Sequence, residues 1–197
     1  LVGTQMIVKG HDFPGVTLVG VLAADLSLYT GDYRASERTF QLLTQAAGRA
    51  GRGKEEGTAV VQTYSPDHYS IEAAAAQNYG MFFEKEQSYR RLMEYPPAAH
   101  LLAVYLSYKD KDGLEIGACR LKECLLQQVD DREIGVIGPA DAYVAKLNDI
   151  YRKVVYLKHK DVEKLLRVKG EIELLFQQDA CLQRLNIQFD LDPMNGF

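Results

Sequence analysis

No apolar run in the sequence approaches the ~20 residues that a membrane-spanning helix needs, so nothing in it is expected to span a bilayer. No stretch reads as a signal peptide. A surplus of positive charge is also missing. The net charge is −4 over 197 residues, so any contact with nucleic acid has to come from a local patch. Cysteine is scarce. Cys119, Cys124 and Cys181 form no C-x-x-C pair and match no zinc spacing. Free thiols in a reducing cytoplasm are the expectation. Internal repeats and low-complexity tracts are absent. The first residue is Leu1 rather than Met, and "LVGTQMIVKG" reads as the end of a buried strand. That pattern suggests a piece of a longer protein.

What is present can fold. The hydrophobic fraction is 47%, enough to bury a core. "VTLVGVLAAD" (16–25) is a continuous apolar run, as expected of a strand covered on both faces. After a loop over 26–34, a helix is expected from Ala35 to about Gly51, with Phe40, Leu43 and Ala47 on its apolar side. A second strand is expected over 58–64. Strand, helix, strand is the rhythm of an α/β layer. Residues 67–94 read as helical, divided at Gly80, and "YPP" (95–97) stops them. Beyond it, strands are expected at 101–108, 134–139, 151–159 and 185–193, with helices at 114–129 and 162–178. This β-α-β-β-α-β order is the ferredoxin-like, split βαβ arrangement. The expected domains are 1–66, a helical connector 67–95, and 96–197.

"QLLTQAAGRAGRGKEEG" (41–57) carries the densest chemistry. Gly48, Gly53 and Lys54 fit G-x-x-x-x-G-K, the start of a phosphate loop. The next residue is Glu55, where a hydroxyl should bind Mg²⁺. A phosphate loop opens a helix so that its N-terminus faces the anion, whereas this stretch closes one. On a helix, Gln45, Arg49 and Arg52 stand at i, i+4 and i+7 and share a face. Gly48 leaves that face bare. Spacing alone also allows a solvated helix end whose arginines complement the helix dipole.

Gln45-Ala46-Ala47-Gly48-Arg49-Ala50-Gly51-Arg52 has the form Q-x-x-G-R-x-G-R and resembles motif VI of superfamily 2 helicases. By that resemblance Arg52 is the arginine finger, Arg49 its partner at the terminal phosphate, and Gln45 lies near ATP at the lobe interface. A planar, permanently charged guanidinium suits the phosphoryl transition state. "GTQMIVKGHDFPGVTLVGVLAAD" resembles motif V. Thr4, Gln5 and Lys9 would then face the DNA backbone, and Gly10 and Asp12 the nucleotide.

The wider pattern is similar to the primosomal protein N′ (PriA) family of replication-restart helicases. It includes "DYRASERTFQLLTQAAGRAGR", "YPP", Gly138-Pro139 and the terminal "DLDP". One departure is Ala23-Ala24-Asp25, where the family pattern is Asp-Ala-Asp. The resemblance implies the C-terminal part of a RecA-like helicase lobe followed by the small α+β domain. It implies an ATP-driven helicase moving 3′ to 5′, acting on forked and single-stranded DNA. ATP and Mg would be bound mainly by a first lobe that is not in this chain, which has neither a phosphate loop nor a D-E-x-x box. Implied partners are single-strand-binding protein and other primosome proteins. The family's zinc belongs to an insertion upstream of motif V, so no metal is expected here.

The C-terminal domain is expected to bind DNA or protein. Lys146, Tyr151, Arg152, Lys153 and Lys158 are its candidate contacts, a basic group beside an aromatic. Along a strand, Tyr151 and Lys153 point one way and Arg152 the other. An ordinary solvated sheet edge is the alternative for these residues. Two other functions fit the sequence. One is a non-catalytic module for fork DNA or a single-strand-binding-protein tail. The other is a superfamily 2 translocase that moves on duplex without separating strands.

Overall fold

The structure is a computed structural model that describes residues 2–3, 15–30, 32–51, 56–128 and 134–194. It is mixed α/β and divides into two compact units, Leu1–Tyr89 and Arg90–Phe197. The division falls inside a helix, a few residues before the "YPP" stop.

In the first unit, β1 (Leu18–Val21) pairs in parallel with β2 (Thr58–Val61), in register Leu18 with Thr58 through Val21 with Val61. Helix α1 (Ala35–Ala47) supplies the crossover that parallel neighbours need. Phe40, Leu43 and Ala46 are buried, whereas Ala47 is only half-buried. The Phe40 ring stacks on Phe82 with centroids 4.4 Å apart. Helices α2 (Tyr69–Ala75) and α3 (Tyr79–Met93) follow. The Tyr69 hydroxyl donates to the buried Glu86 carboxylate at 2.6 Å and ties α2 to α3.

Two expectations need correction here. The apolar run 16–25 is strand only over Leu18–Val21, and Leu18 and Val60 are exposed rather than covered. The chain leaves the strand because Ala23 is left-handed (φ 51°) and Ala24–Ser27 winds into a 3₁₀ turn. The helical stretch breaks at Gln77 (φ 50°), not at Gly80, which lies in the first turn of α3. The Asn78 side chain accepts the Met81 N–H at 3.0 Å, a capping interaction that starts α3 afresh.

Helix α3 ends as its sequence demands. Glu94 is left-handed (φ 50°), and the Tyr95 N–H donates to the Arg90 carbonyl at 2.8 Å, a Schellman closure just before the prolines. The second unit then runs β3 (His100–Tyr108), α4 (Lys111–Gln128), β4 (Gly135–Leu147), β5 (Ile150–His159), α5 (Val162–Gln178) and β6 (Asn186–Leu191). The strands lie in the order β4-β5-β3-β6, and each neighbouring pair is antiparallel. Strand β5 therefore lies between β3 and β4.

Alternation along the strands separates two faces. Leu102, Val104, Leu106, Val155 and Leu157 form one cluster with Leu114, Leu121 and Leu125 of α4 and Leu165, Ile172 and Phe176 of α5. Leu101, Ala103, Val154 and Tyr156, with Tyr105 against them, form a separate cluster on the opposite face. Strand β4 is much longer than the expected 134–139. Its register shifts between Ile137 and Ala140, where Gly138 takes φ 104°. That bulge lets pairing resume beyond Pro139. A two-residue turn, Asn148 and Asp149 with φ 49° and 60°, joins β4 to β5 with the twist a tight hairpin needs.

Candidate functional site

The glycine-rich stretch closes a helix. Helix α1 ends at Ala47, and Gly48 caps it with its N–H on the Thr44 carbonyl at 3.0 Å. Gln45 lies on the last turn and is exposed. Arg49 lies beyond the helix, half-buried in a turn, with its N–H on the Ala46 carbonyl. The shared helical face expected for Gln45, Arg49 and Arg52 therefore does not extend past Ala47. The physical reason is Gly51: its φ is 76°, and its N–H donates to the Val16 carbonyl at 2.9 Å, turning the chain toward β1. Arg52, Thr4, Gln5, Lys9, Gly10 and Asp12 lie outside the described residues.

Two features of this site escaped sequence reasoning. Gly57 enters β2 directly against the arginine loop. A Cβ there would lie 2.7 Å from the Ala50 Cβ and closer still to backbone atoms of Ala50 and Gly51. Only glycine allows that approach. The second is Asp25, which is 7% exposed. Its carboxylate accepts the Thr63 hydroxyl at 2.7 Å and the Tyr64 N–H at 2.9 Å. These hydrogen bonds, Thr63 foremost, hold its pKa below the ordinary carboxylate value. Asp25 thus joins the carboxyl ends of β1 and β2. No local signal marks either contact, although Asp25 belongs to a quoted motif.

The second unit sorts its candidate cations. Lys153 is on the helix-covered face with its side chain only 12% exposed. Its Nζ meets Glu115 of α4 at 2.8 Å and Asp141 at 3.2 Å. Burial lowers its pKa, but hydrogen bonds to Glu115 and Asp141 outweigh that and raise it overall. Lys158 is taken up as well: its Nζ donates to the Met93 carbonyl at 2.8 Å and lies 4.2 Å from the Tyr95 ring centroid. Burial pulls its pKa down. Lys146 stays at the surface, bonded to Asp149 at 2.9 Å and 5.0 Å from the Tyr151 ring centroid. The Asp149 hydrogen bond raises its pKa. Arg152 points to the opposite face from Tyr151 and Lys153, where it comes near Tyr105. The sheet therefore separates the cluster read from the sequence. Sequence reasoning missed Tyr105, which is 47 positions away from Arg152 in the chain.

Comparison with known proteins bears on this second unit first. The family described as "Primosomal protein N C-terminal domain" matches residues 91–194, more than half of the chain. The chain belongs to that family. It is also 37% identical over 193 residues to "Replication restart protein PriA" of Bacillus subtilis (strain 168), covering 98% of this chain and 24% of the relative. The same-named protein of Synechocystis sp. (strain ATCC 27184 / PCC 6803 / Kazusa) is 35% identical over 195 residues, 99% of this chain and 23% of the relative. That of Rickettsia felis (strain ATCC VR-1525 / URRWXCal2) is 34% identical over 198 residues, 100% and 29%. The chain thus spans about a quarter of the length of these relatives. The primosomal C-terminal domain match begins one residue after the start of the second unit. No helix of the described residues is long and apolar enough to cross a membrane. No group of three or more metal-ligating side chains comes together among the described residues.

Proposed function

We propose that this chain is part of an ATP-dependent DNA helicase that moves 3′ to 5′, restarts stalled replication forks and helps assemble the primosome. The observation that carries the reading is the end of α1. An exposed Gln45 and a half-buried Arg49 stand in Q-x-x-G-R-x-G-R, beside a parallel β pair. The names of the PriA relatives support the role in replication restart.

On this reading the first unit belongs to a RecA-like second lobe, and residues 1–66, 67–95 and 96–197 act as lobe, connector and C-terminal module. The strand order β4-β5-β3-β6 supports a ferredoxin-like architecture for the module. Gln45 and Arg49 are the described residues that would meet ATP and Mg held mainly by another lobe, with Arg52, Gly10 and Asp12 beside them. The bound nucleotide supplies the energy of phosphoryl transfer. The arginines supply positive charge where its oxygens gather negative charge. Thr4, Gln5 and Lys9 would track the DNA backbone. In the C-terminal module, Lys146, Tyr151 and Arg152 would contact forked or single-stranded DNA. Lys153 fits a supporting role because its charge is taken up by Glu115 and Asp141. Single-strand-binding protein and other primosome proteins are the partners, the compartment is cytoplasmic, and the family's zinc belongs to a segment outside this chain.

DNA-stimulated ATP hydrolysis by the full-length protein tests this, comparing wild type with Arg52→Ala and checking fork binding in parallel. Loss of ~10³–10⁵ in turnover with binding retained is the expected outcome. Unchanged turnover would reduce the stretch to a basic helix end. This chain alone is expected to hydrolyse no ATP.

A further inference from the structure

We propose that Tyr105 and Arg152, on the sheet face opposite α4 and α5, form a subsite for one unpaired nucleobase and its phosphate, with Gln188 and Asp190 reading the base edge. The inference rests on the DNA-binding reading of the C-terminal module and deepens it. Nothing in the sequence pairs these residues. The register does: Tyr105 stands opposite both Val154 of β5 and Gln188 of β6, and Ser107 opposite both Arg152 and Asn186. Arg152 is therefore the diagonal neighbour of Tyr105 across β5, within reach of a long side chain.

An open cavity of about 730 Å³ runs around the β6 edge, lined by Tyr105, Arg152, Gln188 and Asp190 on this face and by Ile187, Phe189, Lys169 and Glu173 on the helix side. That is room for a nucleotide. Lys169 is already engaged: its Nζ meets Glu173 at 2.6 Å and lies 5.0 Å from the Phe189 ring centroid. Arg152 is then the cation on this face for a phosphate. Asp190 decides the orientation. A carboxylate repels phosphate but accepts a hydrogen bond from an exocyclic amine. The base edge thus turns toward β6, its face toward Tyr105, and its phosphate toward Arg152. Leu101, Ala103, Val154 and Tyr156 are buried on this face, and Tyr105 lies half-buried against them, where an aromatic ring still reached from the cavity is a stacking platform for a single strand. The central position of β3 between β5 and β6 holds Tyr105 in place, and its hydroxyl is braced by a hydrogen bond with Tyr156. Cytosine, adenine and guanine each offer Asp190 an exocyclic amine, whereas thymine offers only its ring N3–H, so the first three are favoured.

The test is fluorescence anisotropy of the 197-residue chain on labelled single-stranded oligo-dC, oligo-dA and oligo-dT, with quenching of a 2-aminopurine base as the stacking signal. The expected result is a preference for dC and dA over dT, quenching kept in Tyr105→Phe, and affinity about 5- to 100-fold weaker in Tyr105→Leu. Asp190→Ala should erase the preference against dT. This variant at an exposed edge position decides the matter even if Tyr105→Leu does not fold. If wild type binds single strands, Arg152→Gln weakens it, and neither Tyr105→Leu nor Asp190→Ala changes affinity, quenching or base preference, the subsite is overturned and the DNA reading stands. If wild type binds no single strand at all, both fall together.

Discussion

The Asp25 carboxylate accepts the Thr63 hydroxyl at 2.7 Å across 38 positions of chain. With the Tyr64 N–H on its other oxygen, it clasps the ends of two parallel strands that the backbone ladder alone joins over four residues each. The clasp has a pH signature. Its folded pKa lies below the ordinary value of 3.8 because the hydrogen bonds favour the charged form. The unfolded chain therefore binds the proton more readily. The stabilisation is fully present above about pH 4 and is lost as pH falls through the lowered folded value. Thermal melts from pH 7 down to pH 3 should show Asp25→Ala less stable than wild type at neutral pH, with the gap narrowing in acid. A gap independent of pH would mean that the carboxylate charge contributes nothing.

Ala23 precedes this clasp in a left-handed conformation, φ 51°. A Cβ is strained there, and Asp, Asn or Gly tolerates the region better. Ala23→Gly should raise stability by about 1 kcal/mol, and Ala23→Asp should move it in the same direction by less. Urea unfolding of the three proteins checks this, and a stability loss in both variants would contradict the strain.

Gly57 lies against Ala50 and Gly51, so Gly57→Ala has to push the loop that carries Arg49. Overpacking against backbone costs about 1–3 kcal/mol. In the full-length protein the variant should also lower DNA-stimulated ATP turnover while leaving fork affinity in place. Equal turnover in Gly57→Ala and wild type would separate this loop from the chemistry.

Lys153 and Lys146 should respond oppositely to removal. Lys153→Met takes a mostly buried charge from Glu115 and Asp141, so it should change the melting temperature more than DNA affinity. Lys146→Ala removes a surface cation near Tyr151, so it should reduce the salt slope of DNA binding by about 1 with little effect on melting. Measuring both quantities on both variants decides which lysine faces the phosphates. The reverse pattern would mean that Lys153 rather than Lys146 meets the phosphates.

Much of the fold was legible because it is written in short-range periodicity. The apolar spacing after Ala35 specifies α1 and its start, though the helix stops at Ala47 rather than near Gly51, the Val162–Gln178 helix matches its expected bounds, and the strands of the second unit carry alternation that a period of two makes plain. That the glycine-rich stretch closes a helix rather than opening one is local as well, since it is set by the last turn of α1. Boundaries that depended on a single backbone conformation were not legible. The break at Gln77, the turn at Ala23 and the bulge at Gly138 all hinge on a positive φ, and two of the three are not glycine.

By itself, then, the sequence determined the order of helices and strands, the family, and the arginine-bearing stretch that follows α1, because each is set by neighbours within a few residues. Tertiary structure alone decided which side chains meet. It placed Gly57 against the arginine loop, Asp25 on Thr63, Lys153 over Glu115 and Tyr105 near Arg152. Those relationships join positions 6 to 47 residues apart in the chain, and register and packing create them.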